Sequence, residues 1–274
     1  VNSKSPIGIF DSGFGGLTVM KEIVKELPSY DYIYLGDNAR APYGSRSFET
    51  VYEYTLQCVK HLFSMGCPLV ILACNTASAK ALRNIQQKDL PKIAPGKRVL
   101  GVIRPTTEVV GKLSKSGHVG VLGTTGTVTS NSYPIEIEKF YPGLIVHQEA
   151  CPMWVPIVEN NEIESEGADV FIKKNLGNLL SKSANIDTII LGCTHYPLLL
   201  DKISKHLPGN ITLLSQGEIV AGSLKDYLQR HAEIESQLSK GKSLEFFTTD
   251  SPDNFDHAAS RFFGKEVKSK HLGL

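Results

Sequence analysis

The sequence predicts an α/β fold built from two similar α/β domains with mostly parallel sheets. Two observations carry this. Short apolar β-type runs alternate along the chain with segments of helical apolar spacing. The chain also repeats itself faintly: "IGIFDSGFGG" shares a layout with "VGVLGTTGTV", and "VILACNTASA" with "IILGCTHYPL". Asp11 precedes Cys74 by 63 positions and Thr124 precedes Cys193 by 69, so two copies of one unit, each with one cysteine, fit in 274 residues.

The elements follow in order. "PIGIF" (6–10) reads as a strand and "LTVMKEIVKEL" (17–27) as a helix. "YIYLG" (32–36) is the next strand. A long helix over 47–66 opens with Ser47 and Thr50 and closes at Gly66. "LVILA" (69–73) is a strand, and "SAKALRNIQQ" continues as a helix. "RVLGVI" (98–103) begins a new series, and 98–105, with Arg104-Pro105, reads as the crossover between units. Strands at 118–123 and 188–192 are separated by helical stretches near 131–140 and 165–182. In the tail, "LEFFTTD" (244–250) is a strand and "NFDHAASRFFG" a helix; a third unit or a return to the first would both account for them.

Composition narrows the function. Hydrophobic residues make up 41% and charged residues 21%, enough for a buried core and too apolar for a disordered chain. A net charge of +1 offers no basic excess for a phosphate backbone, so nucleic acid is not an expected partner. No run approaches the ~18 apolar residues of a membrane span, so no membrane partner is expected. The start, "VNSKSPIGIF", lacks the apolar stretch of a signal peptide, which makes the cytoplasm the expected compartment. Five cysteines is an odd number, and no Cys-x-x-Cys pair occurs, so neither a disulfide scaffold nor a zinc ribbon is expected. Cys58, on a helix, and Cys67, in a turn, read as structural. His61, His118, His147, His206, His231, His257 and His271 show no metal-ligand spacing, and no metal is expected. "GFGG" (13–16) has neither the dinucleotide fingerprint nor a P-loop lysine, and Asp11 beside it would repel a phosphate.

The chemistry gathers at strand ends. In open parallel sheets, ligands bind at the carboxyl ends of the strands. Four polar clusters fall there: Asp11-Ser12-Gly13, Cys74-Asn75-Thr76, Thr124-Thr125-Gly126-Thr127 and Cys193-Thr194-His195. A lone cysteine after a buried strand is ordinarily an inert small residue. Two cysteines, each followed by hydroxyl or amide residues in repeated contexts, point instead to acid/base work as thiol and thiolate. Asn75, Thr76 and Thr194 are suited to a substrate carboxylate. His195 serves as a helix cap or as a partner of Cys193, and its closeness to Cys193 favours chemistry. Asp11 caps a helix or orients a thiol or a substrate ammonium. A cysteine-nucleophile hydrolase with His195 as base and a non-catalytic amino-acid binder remain as alternatives.

Six blocks in order, "IGIFDSGFGGLTV", "LGDNARAPYGSRS", "LACNTASA", "GVLGTTGTV", "ACPMWVPIVENNE" and "LGCTHYPLL", together with "FFTTDSPDNF" near the end, resemble bacterial glutamate racemases over nearly the whole chain. The Thr194-His195 pair after the second cysteine resembles the glutamate enzymes rather than the related aspartate racemases, although another acidic amino acid such as aspartate stays an alternative substrate. The resemblance implies two pseudo-twofold-related domains, 1–101 plus 214–274 and 102–213, with the active site in the cleft between them. It implies no cofactor and racemisation of glutamate, supplying D-glutamate for peptidoglycan. Cys74 and Cys193 would be the acid/base pair, assisted by Asp11 and His195 respectively. Ser12, Tyr43, Gly44, Asn75, Thr76, Thr124, Thr127 and Thr194 would hold the substrate, with Glu159 a further acidic site residue. Relatives commonly form homodimers, so the resemblance allows a homodimer. The chain departs from many relatives at Thr106 in "GVIRPTTE", where a small residue is common.

Overall fold

The computed structural model describes residues 5–274; the first four residues of the 1–101 segment lie outside the described residues. Ten strands form two sheets. The first sheet contains β1 (Ile7–Asp11), β2 (Tyr32–Gly36), β3 (Leu69–Leu72), β4 (Arg98–Gly101), β9 (Leu244–Thr248) and β10 (Ser269–His271), in the order β10-β9-β2-β1-β3-β4. The second contains β5 (His118–Gly123), β6 (Ile145–Ala150), β7 (Thr188–Gly192) and β8 (Thr212–Leu214), in the order β6-β5-β7-β8. Every pairing is parallel.

The run β2-β1-β3-β4 and the run β6-β5-β7-β8 follow one order. β5 therefore stands to the second sheet as β1 does to the first, and β7 as β3. This is the repeat seen in the sequence, now in topology. In both runs the chain goes one way from the first strand, then crosses to its other side. The crevice at that switch lies between the carboxyl ends of β1 and β3, and of β5 and β7, where open α/β sheets bind ligands.

The central strands are buried throughout, as expected where helices cover both faces. The helix Phe48–Ser64 starts where Ser47 accepts the Thr50 N–H, and the chain turns away at Gly66 with φ 95°. The tail is not a third unit: β9 pairs with β2, and β10 with β9. Asp31 fixes that return, its carboxylate accepting the backbone N–H groups of Gly241 and Ser243 and the Ser243 hydroxyl.

The sequence reading omits three strands, β6, β8 and β10. It also takes 98–105 as a crossover, whereas the helix Ile103–Leu113 begins inside it. Pro105 sits in the first turn of that helix, where its missing N–H costs nothing. No helix among the described residues is long and apolar enough to cross a membrane.

Candidate active site

Asp11 ends β1, and Cys74 follows β3 by two positions. Their counterparts are Thr124 and Cys193, each one position past β5 and β7. All four are buried: Asp11 is 1% exposed, Cys74 6%, Thr124 9% and Cys193 5%.

On the first side, Cys74 caps the helix Asn75–Lys80. Its sulfur lies 3.4 Å from the Ala77 N–H and 3.5 Å from the Ser12 hydroxyl. Asp11 Oδ2 accepts the Gly13 N–H at 2.9 Å, while Asp11 Oδ1, also buried, has no partner of good geometry. Burial pushes the Cys74 thiol up to about 12, and the Asp11 carboxylate beside it adds to the rise, against the Ser12 and Ala77 donors. Burial also raises Asp11, opposed by the positive charge of His195. Cys74 therefore rests as a thiol.

On the second side, His195 lies between two partners. Its Nδ1 is 3.8 Å from Cys193 Sγ and its Nε2 is 2.9 Å from Glu159 Oε1. Burial alone would lower its pKa; the hydrogen bonds to Cys193 and Glu159 overcome this and raise it to about 10. His195 thus rests as an imidazolium, donating from both nitrogens. Phe262, on the tail helix, packs its ring edge-on at 5.3 Å and shields it from water.

The two sides touch. Thr76 Oγ1 is 2.9 Å from Thr124 Oγ1, which donates to Thr127 Oγ1 at 3.1 Å. The Gly126 N–H donates to Gly44 O at 2.7 Å. The Thr194 carbonyl lies 2.9 Å from Thr18 Oγ1. Cys193 contributes to the rise at Cys74. An open cavity of about 720 Å³ between Ser78–Gln87 and Ser130–Lys139 is lined by none of these cluster residues. These contacts leave both thiols buried between the halves.

A protein-family model described as Asp/Glu/Hydantoin racemase matches residues 7–223. The chain belongs to that racemase family. It is 40% identical to a glutamate racemase of Persephonella marina over 98% of this chain and 97% of the relative. Among solved structures, it is similar to a glutamate racemase isoform of Bacillus anthracis, with a TM-score of 0.89 and 37% identity, covering 99% and 98% of the two chains. It is also similar to the Francisella tularensis glutamate racemase in complex with D-glutamate, with a TM-score of 0.87 and 32% identity over 100% and 98%.

In this racemase-family chain, the predicted site residues fall into one region with unequal freedom. Asp11, Ser12, Cys74, Cys193, His195 and Glu159 form the two clusters described. Thr76, Thr124 and Thr127 bridge them, and Thr194 and Gly44 lie on the contacts between halves. The Tyr43 hydroxyl is engaged elsewhere: it donates to Asp37, which is fully buried and also accepts from Arg40 Nε at 2.7 Å and Thr249 Oγ1 at 2.8 Å. Asn75 has both side-chain atoms taken, by Gln216 at 2.6 Å and by Tyr133 at 2.7 Å. Sequence reasoning omits Asp37, Gln216, Tyr133 and Gly15. Asp37 had a visible signal, a buried-strand end followed by "NARAPYG"; Gln216 had none, because its partners lie over 80 positions away. Among the described residues, no group of three His, Cys, Asp or Glu could hold a metal ion.

Proposed function

We propose that the chain is a glutamate racemase that interconverts L- and D-glutamate without a cofactor, with Cys74 and Cys193 as the acid/base pair. The observation that carries the reading is the facing of two buried thiols from equivalent strand ends, each beside a different charged partner. Racemisation needs a base on one face of Cα and an acid on the other; a single base returns the proton where it came from. The α-proton is very weakly acidic, so its removal needs a desolvated base and donors on the carboxylate, where charge accumulates.

The partners fit a division of labour. The His195 imidazolium, held by Glu159, lies beside Cys193, which in one direction acts as a thiolate. That thiolate takes the α-proton of one enantiomer while the Cys74 thiol donates its proton to the other face. In the reverse direction, Cys74 is the base and Cys193 the acid. Asp11 Oδ1 is placed to accept from the substrate ammonium or from Cys74. Ser12, Tyr43, Gly44, Asn75, Thr76, Thr124, Thr127 and Thr194 supply the surrounding polar wall, Tyr43 and Asn75 through the positions they impose on their neighbours.

Strand membership supports taking 1–101 with the tail as one domain and 102–213 as the other, except that Leu214, proposed as the start of the tail, is the last residue of β8 and pairs in the second sheet. The cellular role we infer is supply of D-glutamate for peptidoglycan in the bacterial cytoplasm.

The test is incubation of L-glutamate, D-glutamate and L-aspartate in deuterated water. Both glutamate enantiomers are expected to exchange their α-hydrogen and lose optical activity, with aspartate far slower. C74S and C193S should each lower interconversion by about 10²–10⁴, the usual range for a general acid or base. Activity that survives C74S would favour a single-cysteine hydrolase; unchanged glutamate with the wild-type chain would refute the racemase reading.

A further inference from the structure

We infer that Gln216 is a positioning residue that clasps both interdomain crossovers to Asn75, and so returns Cys74 to one place each time the halves close. The inference rests on the racemase reading, because it treats Cys74 as a reacting group.

The chain passes between sheets twice. It leaves the first sheet after Gly101 and enters the helix Ile103–Leu113, which packs on the helix Ser132–Phe140 of the second half. It leaves the second sheet after Leu214 and enters the helix Gly217–Arg230, which packs on the helix Leu17–Glu26 of the first half. Any parting of the halves therefore bends the backbone near Val102 and near Ser215–Gln216. These two short segments meet at one side chain.

Gln216 is 3% exposed. Its Nε2 lies 3.2 Å from Val102 O, 3.0 Å from Thr106 Oγ1 and 2.8 Å from Tyr133 OH. Its Oε1 accepts from Asn75 Nδ2 at 2.6 Å. Tyr133 OH donates on to Asn75 Oδ1 at 2.7 Å, closing a ring of three side chains. Thr106 Oγ1 donates to Val102 O at 3.0 Å, which leaves its lone pair for Gln216. One amide thus joins the outward crossover, the return crossover, the second half through Tyr133, and the residue next to Cys74.

The chemistry selects an amide. The position needs two N–H donors aimed at three oxygens and a carbonyl aimed at Asn75. A carboxylate would face Val102 O and Thr106 without a donor, and a thioether would leave buried polar groups unpaired. Thr106 supplies the hydroxyl that Gln216 meets. A buried network satisfied at every member holds one geometry, and a partly satisfied one admits several.

The test compares Q216M, T106V and T106S in the full-length chain, with kcat and KM for both glutamate enantiomers and thermal unfolding. Q216M should lower kcat about 10–100-fold, the effect of misplacing a reacting group by up to 1 Å, with KM changed less than threefold. T106V should lower kcat by a smaller factor, and T106S, which keeps the hydroxyl, should restore it. The double variant Q216M/T106V should fall no further than Q216M alone, because both act through one network. If Q216M fails to fold, the T106V and T106S pair decides by itself, since serine keeps the hydroxyl and valine replaces it with a methyl. An active wild type with Q216M at wild-type kcat, or with T106S as impaired as T106V, overturns the clasp. An inactive wild type overturns the racemase reading instead.

Discussion

A close approach between the halves predicts that Gly15→Ala will cripple the enzyme without changing its fold. Gly15 lies in the loop after β1, against the segment that carries Cys193. A Cβ built there would be 2.2 Å from Thr194 Oγ1 and 2.5 Å from His195 Nδ1. Ordinary contact begins at 3.4 Å, so the loop or its neighbours must move by about 1.2 Å, the difference of the two distances. None of them yields readily. His195 is held between Cys193 and Glu159. Thr194 is 4% exposed, and Thr18 Oγ1 lies 2.8 Å from Gly15 O and 2.9 Å from Thr194 O, tying the two segments together. Gly15 is not among the positive-φ glycines, so alanine is not excluded by backbone strain, and the obstacle is space alone. A displacement near 1 Å at a reacting group costs about 100-fold in rate, and overpacking destabilises by about 1–3 kcal/mol. The assay is α-hydrogen exchange of glutamate followed by NMR, beside circular dichroism of the protein. A folded Gly15→Ala chain with kcat/KM within about threefold of wild type would refute the claim that this contact sets the geometry of the second cluster.

Other outcomes follow from the same contacts. Asp31 is held at about 2 because hydrogen bonds from Ser239, Ser243 and Gly241 outweigh its burial. Its stabilisation is present above the ordinary carboxylate value of 3.8 and is lost as pH falls from there through about 2. D31N should therefore lower stability by about 2 kcal/mol at neutral pH, with the difference from wild type closing in that acid window, as urea titrations at several pH values would measure. D37N removes the buried partner of Arg40 and should cost about 3 kcal/mol, the penalty for leaving a charge unpaired; equal urea midpoints for variant and wild type would contradict it. E159Q withdraws a carboxylate from His195, so the His195 pKa falls and the alkaline limb of the pH–rate profile should move to lower pH; an unmoved limb would detach Glu159 from the site.

The parts legible in the sequence are those whose signal is local. β1, β2, β3, β5 and β7 announce themselves as apolar runs because they are covered on both faces. β6, β8 and β10 do not, and each is an edge strand. β6 reads "IVHQEA" and is only half-buried, while β8 and β10 have three residues each, too few for a periodic pattern. The candidate cysteines are legible because the strand-to-helix junction recurs twice. Gln216 is not, because a glutamine after a three-residue strand looks like a solvated turn, and only the fold brings Asn75, Val102, Thr106 and Tyr133 around it. Thr106 shows the same limit: its residue type is plain in the sequence, its partner is not.

The two halves share a topology but not an electrostatic setting, and this has a kinetic consequence. Cys74 faces the Asp11 carboxylate, which favours the thiol, whereas Cys193 faces the His195 imidazolium. With Cys74 and Cys193 as the proposed acid/base pair, two forms of the free enzyme, proton on Cys74 or proton on Cys193, would each accept one enantiomer, and the Asp11 charge beside Cys74 favours the first. The enantiomer that needs the scarcer form binds with an affinity reduced by that form's fraction. Yet the equilibrium constant of a racemisation is one, so kcat/KM must be equal in both directions at every pH. The asymmetry therefore appears as a ratio of KM values matched by the same ratio of kcat values. The two forms hold equal numbers of protons, so pH alters their balance only by titrating a neighbour. His195 is such a neighbour, and it loses its charge near pH 10. The KM ratio of the two enantiomers should thus drift toward the alkaline end while the kcat/KM ratio stays at one, and in E159Q the drift should begin at lower pH. A KM ratio constant from neutral pH to beyond the His195 titration would mean that the imidazolium does not set the resting proton.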